Sequence, residues 1–345
     1  MSIPDPLELI GATASPYTRK MLALLRYRRV PYAITWGDPS TVLASRGIES
    51  PRIPFLPTFL FPSASGELEA VCDSTPITHR LEEQIDGRSA IPADPALAFI
   101  NFLLEDFGDE WCTKYMFHYR WHFAADADNA GTLLPLAANL TVPPETHRQL
   151  KAHFTERQVG RLGFVGSNEQ TAPIIDASYR RLLNLLEAHF EQQPFLLGAR
   201  PGSADFALLG QLTQLVGFDP TSRTIAHQLS PRTVAWVGIT EDLSGLEPAD
   251  GDWCSVESLP RTLREILGEV GKTYVPALLA NAAALETKQK EWSKTIDGAL
   301  WSQNTFPYQG KCLAWIRQEY TALDDASRSR VDSLLAGTGC EMLLA

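Results

Sequence analysis

The stretch from residue 7 to residue 36 constrains the fold more than any other part of the sequence. Residues 7–10 predict a short buried strand, and a loop of small residues separates it from apolar side chains at helical spacing. Ser15 is a favourable N-cap and Pro16 a favourable first helical residue, because proline has no N–H group to leave unpaired there. Residues 32–36 predict a second strand. We therefore expect a strand–helix–strand unit whose helix N-terminus attracts an anion.

Composition and charge narrow the class of protein. The chain has 345 residues and a net charge of −11, and this negative charge disfavours binding to nucleic acid or to an anionic membrane. No apolar run is long enough to cross a membrane, and residues 1–6 lack the basic and apolar parts of a secretory signal. The five cysteines are scattered without a disulfide or metal-ligand spacing. We therefore expect a cytoplasmic protein with reduced thiols, no metal, no membrane association and no nucleic-acid partner.

The length of the chain indicates two domains and an extension. Residues 1–90 read as β-α-β-α-β-β-α and predict a mixed domain. Residues 95–245 predict a helical domain that begins with one long apolar helix over 97–123. Residues 246–345 predict a mostly helical extension packed on the helical domain. A hairpin is expected at 293–301, because the Asp-Gly pair in it suits a type I′ turn.

Several short motifs follow one another in an order that one family shares. Ser-Pro-Tyr-Thr begins at residue 15, Leu-Pro-Thr begins a strand at residue 56, and Asp-Ser begins a helix at residue 73. In the second half, Phe-Leu-Leu-Gly at 195–198 precedes Pro-Gly-Ser-Ala-Asp at 201–205. In these motifs the chain resembles the serine-type glutathione S-transferase superfamily. The resemblance implies an α/β thioredoxin-like N-terminal domain followed by an all-α C-terminal domain.

The resemblance gives the turn at Ser15 a chemical role, since the serine hydroxyl in such members donates a hydrogen bond to the glutathione sulfur. Lowering a thiol pKa from ~8.5 to ~6.5 requires ~2.7 kcal/mol. A helix N-terminus supplies up to ~2 kcal/mol and a hydrogen bond to a charged group ~1.5–3 kcal/mol, so the two together suffice. Tyr17 is an alternative hydroxyl donor, and a plain helix cap is the alternative role for Ser15.

The resemblance also assigns the remaining parts of glutathione. Leu56 would pair with the cysteinyl part through its backbone, beside Pro57 as the cis-proline. Pro54 also fits the family pattern, but the residues after Pro57 make the better strand. Asp73 would bind the γ-glutamyl amine, and Ser74 would bind the γ-glutamyl carboxylate through its hydroxyl and the helix N–H groups. The alternative is that Asp73 and Ser74 only cap the start of a helix.

Aromatic residues of the long helix are candidates for the wall of the co-substrate site, which lies between the two domains in this family. The four candidates are Tyr115, His118, Tyr119 and Trp121. For each of them, packing in the core of the helical domain is the alternative. His118 and His122 have the spacing of a metal-binding pair, but no third ligand accompanies them, so we expect no metal.

Some positions near these motifs are expected to be structural. Arg19 and Lys20 flank the first turn, where their charges could raise the local positive potential, and a solvated helix face is the alternative for both. Gly202 stands where the family usually has Ser or Thr, so Asp205 is expected to be buried for structural reasons, with a weaker helix cap.

The resemblance implies a glutathione-dependent transferase or peroxidase that attacks an electrophilic, largely apolar small molecule, and it also implies a homodimer. The alternative is a non-catalytic ligand- or protein-binding module on the same fold. A thiol reductase would need Cys72 or Cys312 at the sulfur, and Thr18 disfavours it because the Cys-x-x-Cys of thioredoxins is absent. In the extension, Tyr308, Lys311 and Cys312 match no family pattern. A lid over the site and a packing brace are both open, and we favour the brace.

Overall fold

The fold begins with a small mixed sheet that carries helices on both faces. The computed structural model describes residues 3–344, so Met1, Ser2 and Ala345, at the outer ends of the first predicted domain and of the extension, lie outside the described residues. The elements of the sheet domain are β1 (Leu7–Gly11), α1 (Pro16–Tyr27), β2 (Tyr32–Trp36), α2 (Pro39–Arg46), β3 (Thr58–Pro62), β4 (Leu68–Cys72) and α3 (Ser74–Gln84). The strand order is β2-β1-β3-β4, with β1 and β2 parallel and the other pairs antiparallel. This is the thioredoxin-like domain that the sequence predicts.

Side chains alternate between the two faces of the strands and hold the sheet between its helices. Leu9 of β1 and Phe59 of β3 belong to the main core with α1 and α3, whereas Ile10 and Leu60 form a second cluster with α2. In the register of β1 with β3, Ile10 pairs with Thr58. The residues that precede Thr58 therefore lie beside the loop that leads from β1 to α1.

A run of helices follows the sheet and forms an all-α domain around one buried helix. These helices are α4 (Pro95–Glu110), α5 (Cys112–His122), α6 (Ala124–Ala138), α7 (Pro144–Val159), α8 (Ala172–Phe190), α9 (Ser203–Gly217), α10 (Pro220–Leu229) and α11 (Pro231–Thr240). Helix α9 is buried along almost its whole length and packs against both α1 and α4, so it joins the two domains. Within residues 3–344, no helix combines the length and the apolar composition that a membrane crossing requires.

The prediction of one continuous helix over 97–123 is wrong. Helix α4 ends at Glu110 and α5 begins at Cys112. Between them, the backbone N–H of Lys114 donates to the carbonyl of Trp111, three residues back, which makes a tighter turn than an α-helix has. The fully buried indole of Trp111 packs there against Trp301 of the extension, a partner that local periodicity cannot indicate.

The extension covers the helical domain. It consists of α12 (Arg261–Glu269), α13 (Val275–Glu286), β5 (Glu291–Ile296), β6 (Ala299–Asn304), α14 (Pro307–Ala322) and α15 (Asp325–Leu335). The predicted hairpin is present, and Asp297 and Gly298 at its turn both have positive φ, as a type I′ turn requires. Helix α12 packs on α8, and α14 and α15 pack on α4. The exact domain boundaries at residues 90–95 and 245–246 stay predictions.

The contact between α1 and α9 depends on a glycine. At Gly210 a side-chain carbon would lie 2.4 Å from the carbonyl oxygen of Pro16 and 3.1 Å from Cβ of Lys20. The glycine therefore lets the first turn of α1 approach the backbone of α9 directly, and this approach sets the position of Ser15.

We predict that Gly210→Ala lowers the free energy of unfolding by about 1–3 kcal/mol, because the added methyl group overpacks this contact. Gly217→Ala is the matched control, since a side-chain carbon at that end of α9 would meet no atom within 4 Å and alanine is favoured over glycine in a helix. Urea unfolding measures both variants. Equal changes in the free energy of unfolding at the two positions would contradict the close contact.

Candidate functional site

Ser15 is the N-cap of α1. Its Oγ accepts a hydrogen bond from the backbone N–H of Thr18 at 3.2 Å, and the residue is half-buried. The preceding loop is tight, because the N–H of Ala12 donates to the Thr18 hydroxyl and Gly11 has no room for a side-chain carbon beside Thr18. A serine hydroxyl that accepts at a cap can still donate its own hydrogen. Ser15 can therefore cap the helix and bind an anion at the same time.

A buried arginine of α5 holds this loop from the helical domain. Arg120 donates to the carbonyl of Ala14 at 2.9 Å, and its other nitrogens bind the side chains of Asp219 and Gln214. Burial raises the pKa of Asp219 to about 6, although Arg120 opposes the rise. This role of Arg120 is not predictable from the sequence, because no local signal relates it to partners so distant in the chain. Arg120 fixes the loop that carries Ser15.

The alternative hydroxyl, that of Tyr17, already has an acceptor. It donates to the backbone carbonyl of Asp109 in α4 at 2.8 Å. Burial raises the pKa of Tyr17, and the neighbouring carboxyl groups of Glu110 and Asp109 raise it further, so the phenol stays neutral. Thiol activation by Tyr17 stays a prediction, and it would require this interdomain hydrogen bond to break.

The peptide bond between Leu56 and Pro57 is cis, which confirms Pro57 rather than Pro54 as the cis-proline. Pro57 is buried, whereas Leu56 is partly exposed. The hydroxyl of Thr58 donates to the carbonyl of Phe55 at 2.7 Å and closes the turn before β3. Backbone groups at a partly exposed position beside a sheet can pair with an extended peptide. The contact of Leu56 with glutathione stays a prediction.

Asp73 and Ser74 stand at the start of α3, as predicted. Asp73 has a φ of 92°, which residues other than glycine seldom adopt. Its carboxylate does not cap α3 but accepts from the hydroxyl of Tyr308 in α14, which lies 3.0 Å from each carboxylate oxygen. The hydroxyl of Ser74 accepts from Nζ of Lys20 at 3.3 Å. The first turn of α3 is thus contacted by both α1 and the extension.

Lys20 lies at the centre of a buried ionic cluster, so the alternative of a solvated helix face is wrong for it. It is 1% exposed, and its Nζ lies 2.7 Å from Glu105 and 2.5 Å from Asp109. Burial lowers the pKa of Lys20, but the two carboxyl groups outweigh burial and raise it. The lysine can be buried because α4 supplies the opposite charges. Arg19, by contrast, is partly exposed and pairs with Glu241.

The carboxyl groups of this cluster titrate differently. Burial would raise the pKa of Glu105, but Lys20 outweighs burial and lowers it. Burial raises the pKa of Asp109 to about 6 against the opposing effect of the same lysine. Lys20 therefore keeps Glu105 ionised, whereas Asp109 takes up a proton close to neutral pH.

Two more carboxyl groups of α4 are buried against the extension. Asp106 accepts from the hydroxyl of Tyr274 at 2.5 Å, and Glu110 accepts from the amide of Gln309 at 3.3 Å. Burial raises the pKa of Asp106 to about 7 and that of Glu110 to about 8, and neighbouring carboxyl groups add to each rise. This cluster was not predicted from the sequence, although acidic residues at helical spacing within an apolar helix are a visible signal of it. Glu110 is mostly protonated at neutral pH.

The four aromatic candidates for a co-substrate wall lie in the core of the helical domain, and each is at most 3% exposed. Their contacts are with other residues of that domain: Tyr115 bonds to Ser178, His118 to Ser167 and Tyr119 to Asp176, and Trp121 packs on Phe154. His118 stacks on His122, and among residues 3–344 no three His, Cys, Asp or Glu side chains are grouped as metal ligands. The wall stays a prediction, and the observed contacts are those of core residues.

Asp205 ties the start of α9 to the turn before it. One carboxylate oxygen accepts from the N–H of Gly202 at 2.8 Å, and the other accepts from the N–H of Leu196 at 2.9 Å. Burial raises the pKa of Asp205 to about 7, although these hydrogen bonds oppose the rise. The side chain has the structural role that the sequence predicts.

Two protein families match the chain in the parts that contain these residues. The glutathione S-transferase N-terminal domain matches residues 9–89, and the glutathione S-transferase C-terminal domain matches residues 157–238. The first range contains Ser15, Pro57 and Asp73, and the second contains Asp205. No curated protein sequence matches the chain.

Solved structures similar to this one have low sequence identity to it. A glutathione transferase family member from Pseudomonas fluorescens pf-5, with two glutathione bound, is 16% identical over 70% of this chain and 95% of its own, with a TM-score of 0.40. A glutathione S-transferase of Ceriporiopsis subvermispora in complex with glutathione is 16% identical over 71% of this chain and 99% of its own, with a TM-score of 0.43. The tau-class glutathione S-transferase of mango, Mangifera indica, is 17% identical over 76% of this chain and 96% of its own, with a TM-score of 0.39.

The pH dependence of stability tests the buried carboxyl groups. The pKa of Glu110 is about 8 in the folded chain, against roughly 4.3 for an ordinary glutamate. The folded chain therefore binds this proton more tightly than the unfolded chain, and the contribution of Glu110 to stability falls as pH rises from about 5 to about 8. We predict that Glu110→Gln, which cannot ionise, gains stability relative to wild type over this range, on the order of 3 kcal/mol.

Urea unfolding at both ends of this pH range measures the gain. Glu169→Gln is the matched control, because it makes the same substitution at an exposed glutamate. A pH-independent difference for Glu110→Gln would contradict a titration shifted by burial.

Proposed function

The chain belongs to the glutathione S-transferase superfamily, and from this premise we propose that it is a glutathione-dependent transferase or peroxidase. Ser15 stabilises the thiolate of bound glutathione, which attacks an electrophilic, largely apolar co-substrate. The observation that carries the proposal is the placement of the Ser15 hydroxyl at the N-terminus of α1, in a loop that Arg120 holds in position. Two of the similar solved proteins hold glutathione.

The rest of the ligand would extend from Ser15 toward the start of α3. The backbone of Leu56, before the cis bond to Pro57, would pair with the cysteinyl part. The hydroxyl of Ser74 and the free N–H groups of α3 would bind the γ-glutamyl carboxylate, and Asp73 would bind the amine. A cytoplasmic location and a homodimer belong to the same proposal, as expectations from the sequence.

The chemistry that this site offers is thiolate stabilisation. The positive end of the α1 dipole and the hydrogen of the Ser15 hydroxyl both favour the charged sulfur. The buried carboxyl groups nearest Tyr17 would oppose a thiolate if all were ionised. Because burial keeps Glu110 largely protonated and Lys20 neutralises part of the remaining charge, this opposition is weakened.

A non-catalytic binding module on the same fold is the second candidate. One observation favours it: the hydroxyl of Tyr17 and the carboxylate of Asp73 already have hydrogen-bond partners within the chain. Groups that are bonded internally can serve the architecture alone.

Replacement of Ser15 separates the two candidates. We predict that Ser15→Ala still binds glutathione in calorimetry, but that the thiol pKa of the bound ligand returns toward ~8.5, with roughly tenfold or more loss of turnover at neutral pH. An absorbance titration of the thiolate measures the pKa. Ser15→Thr restores a hydroxyl and a cap and should recover most of the shift in the thiol pKa. Ser45→Ala is the serine control, because Ser45 is exposed on α2.

Loss of the cap is a separate effect. Ser15→Ala should also lower the free energy of unfolding by ~1 kcal/mol, which thermal unfolding detects independently of the ligand. Failure of the wild type to bind glutathione would reject the proposed enzyme. If glutathione binds to wild type and to Ser15→Ala with the same thiol pKa, Ser15 does not stabilise the thiolate, and the non-catalytic binding module is the candidate that remains.

A further inference from the structure

The extension reaches the candidate ligand site through one side chain. Tyr308 lies in the first turn of α14 and is 235 residues from Asp73 in the chain. Its hydroxyl lies 3.0 Å from both oxygens of the Asp73 carboxylate, so one O–H group is shared between the two acceptors. The residue is half-buried. This contact links the extension to the residue that the proposed function assigns to the γ-glutamyl amine.

The first turn of α14 is fixed on both sides of Tyr308. Before it, the backbone of Phe306 exchanges two hydrogen bonds with the side chain of Asn281, at 2.8 and 3.0 Å. After it, the amide of Gln309 donates to Glu110, and Cys312 is buried in the same helix. These contacts are those of an anchored wall of the site rather than of a mobile lid.

The hydroxyl of Tyr308 opposes protonation of the Asp73 carboxylate. Burial raises the pKa of Asp73, and the hydrogen bond from Tyr308 is the strongest opposing effect, followed by the charges of Lys311 and Lys20. Burial and the charge of Asp73 raise the pKa of Tyr308 itself, so the phenol remains a neutral donor. A carboxylate offers about four acceptor positions, and one shared O–H leaves the others open.

We propose that Tyr308 is a positioning residue of the ligand site, whose hydroxyl orients the Asp73 carboxylate to accept the primary ammonium group of a γ-glutamyl ligand. This inference rests on the proposed function and deepens it. The ligand site is then built from three parts of the chain: the sheet domain supplies Asp73, Lys20 of α1 joins the neighbouring Ser74 to the carboxyl groups of α4, and the extension supplies the donor. The extension is neither a lid nor a remote brace but part of amine recognition.

Replacement of the hydroxyl alone tests the proposal. Tyr308→Phe keeps the ring, which packs near Phe306 and Trp315. We expect it to weaken glutathione binding roughly tenfold and to weaken binding of the analogue without the amino group, glutaryl-cysteinyl-glycine, much less. The loss of binding on acidification should also move to higher pH in the variant, because Asp73 loses the bond that lowers its pKa. Calorimetry with both ligands across a pH series measures these effects.

Two further variants sharpen the test. Tyr320→Phe is the matched control, since Tyr320 lies in the same helix and its hydroxyl donates to Asp332 at 2.6 Å. This variant should change the binding affinity for neither glutathione nor the analogue. Asp73→Asn should bind glutathione and the analogue with similar affinity, and adding Tyr308→Phe to it should have little further effect. Asp73→Asn leaves the extension intact, so it tests amine recognition even if Tyr308→Phe fails to fold.

The outcomes that overturn the proposal are distinct. Unchanged glutathione binding in Tyr308→Phe, or equal weakening of both ligands, overturns it while leaving the proposed function standing. Tighter glutathione binding in Tyr308→Phe also overturns it, because the hydroxyl would then compete with the ammonium group. Absence of glutathione binding by the wild type overturns the proposed function and this inference together.

Discussion

The buried pairing of Lys20 with Glu105 and Asp109 is the interaction on which the candidate site depends. It joins α1 to α4, and the additional hydrogen bond to Ser74 joins both to α3. Removing a lysine from water is costly, and nearby opposite charges compensate because they lie within hydrogen-bond distance in a weakly polarisable surrounding. The two ends of the site, at the starts of α1 and α3, are therefore held relative to each other by charge as well as by apolar packing.

Helix α4 carries more carboxyl groups than Lys20 can neutralise. The excess is accommodated because Asp106 and Glu110 hold protons in the pH range where an ordinary carboxyl is ionised. The extension contributes to this arrangement, since Tyr274 and Gln309 donate hydrogen bonds to the two groups. The extension thus encloses the acidic face of α4 and supplies it with polar partners.

Local signals in the sequence were sufficient to predict secondary-structure elements around the candidate site. The Ser-Pro helix start and the Asp-Gly hairpin each depend on a few adjacent residues, the cis-proline was implied by the family resemblance, and the structure confirms all three. The contacts that fix the site are not local: Lys20 is 85 residues from Glu105, and Tyr308 is 235 from Asp73. A charged residue beside an apolar stripe is assigned to solvent until its distant partner is known. The interruption at Trp111 was also missed, and the contact of this residue with Trp301 of the extension is another that local periodicity does not show.

The hydrogen bond from Tyr308 to Asp73 has a consequence for how the protein is made. Ribosomes add about 5–20 residues per second, and with 235 residues between the two partners Tyr308 is added roughly 10–50 seconds after Asp73. The sheet domain can fold during this interval, with its aspartate still facing water. A nascent chain therefore carries the candidate site without this hydrogen bond, and the bond that orients the Asp73 carboxylate forms only after Tyr308 has been added.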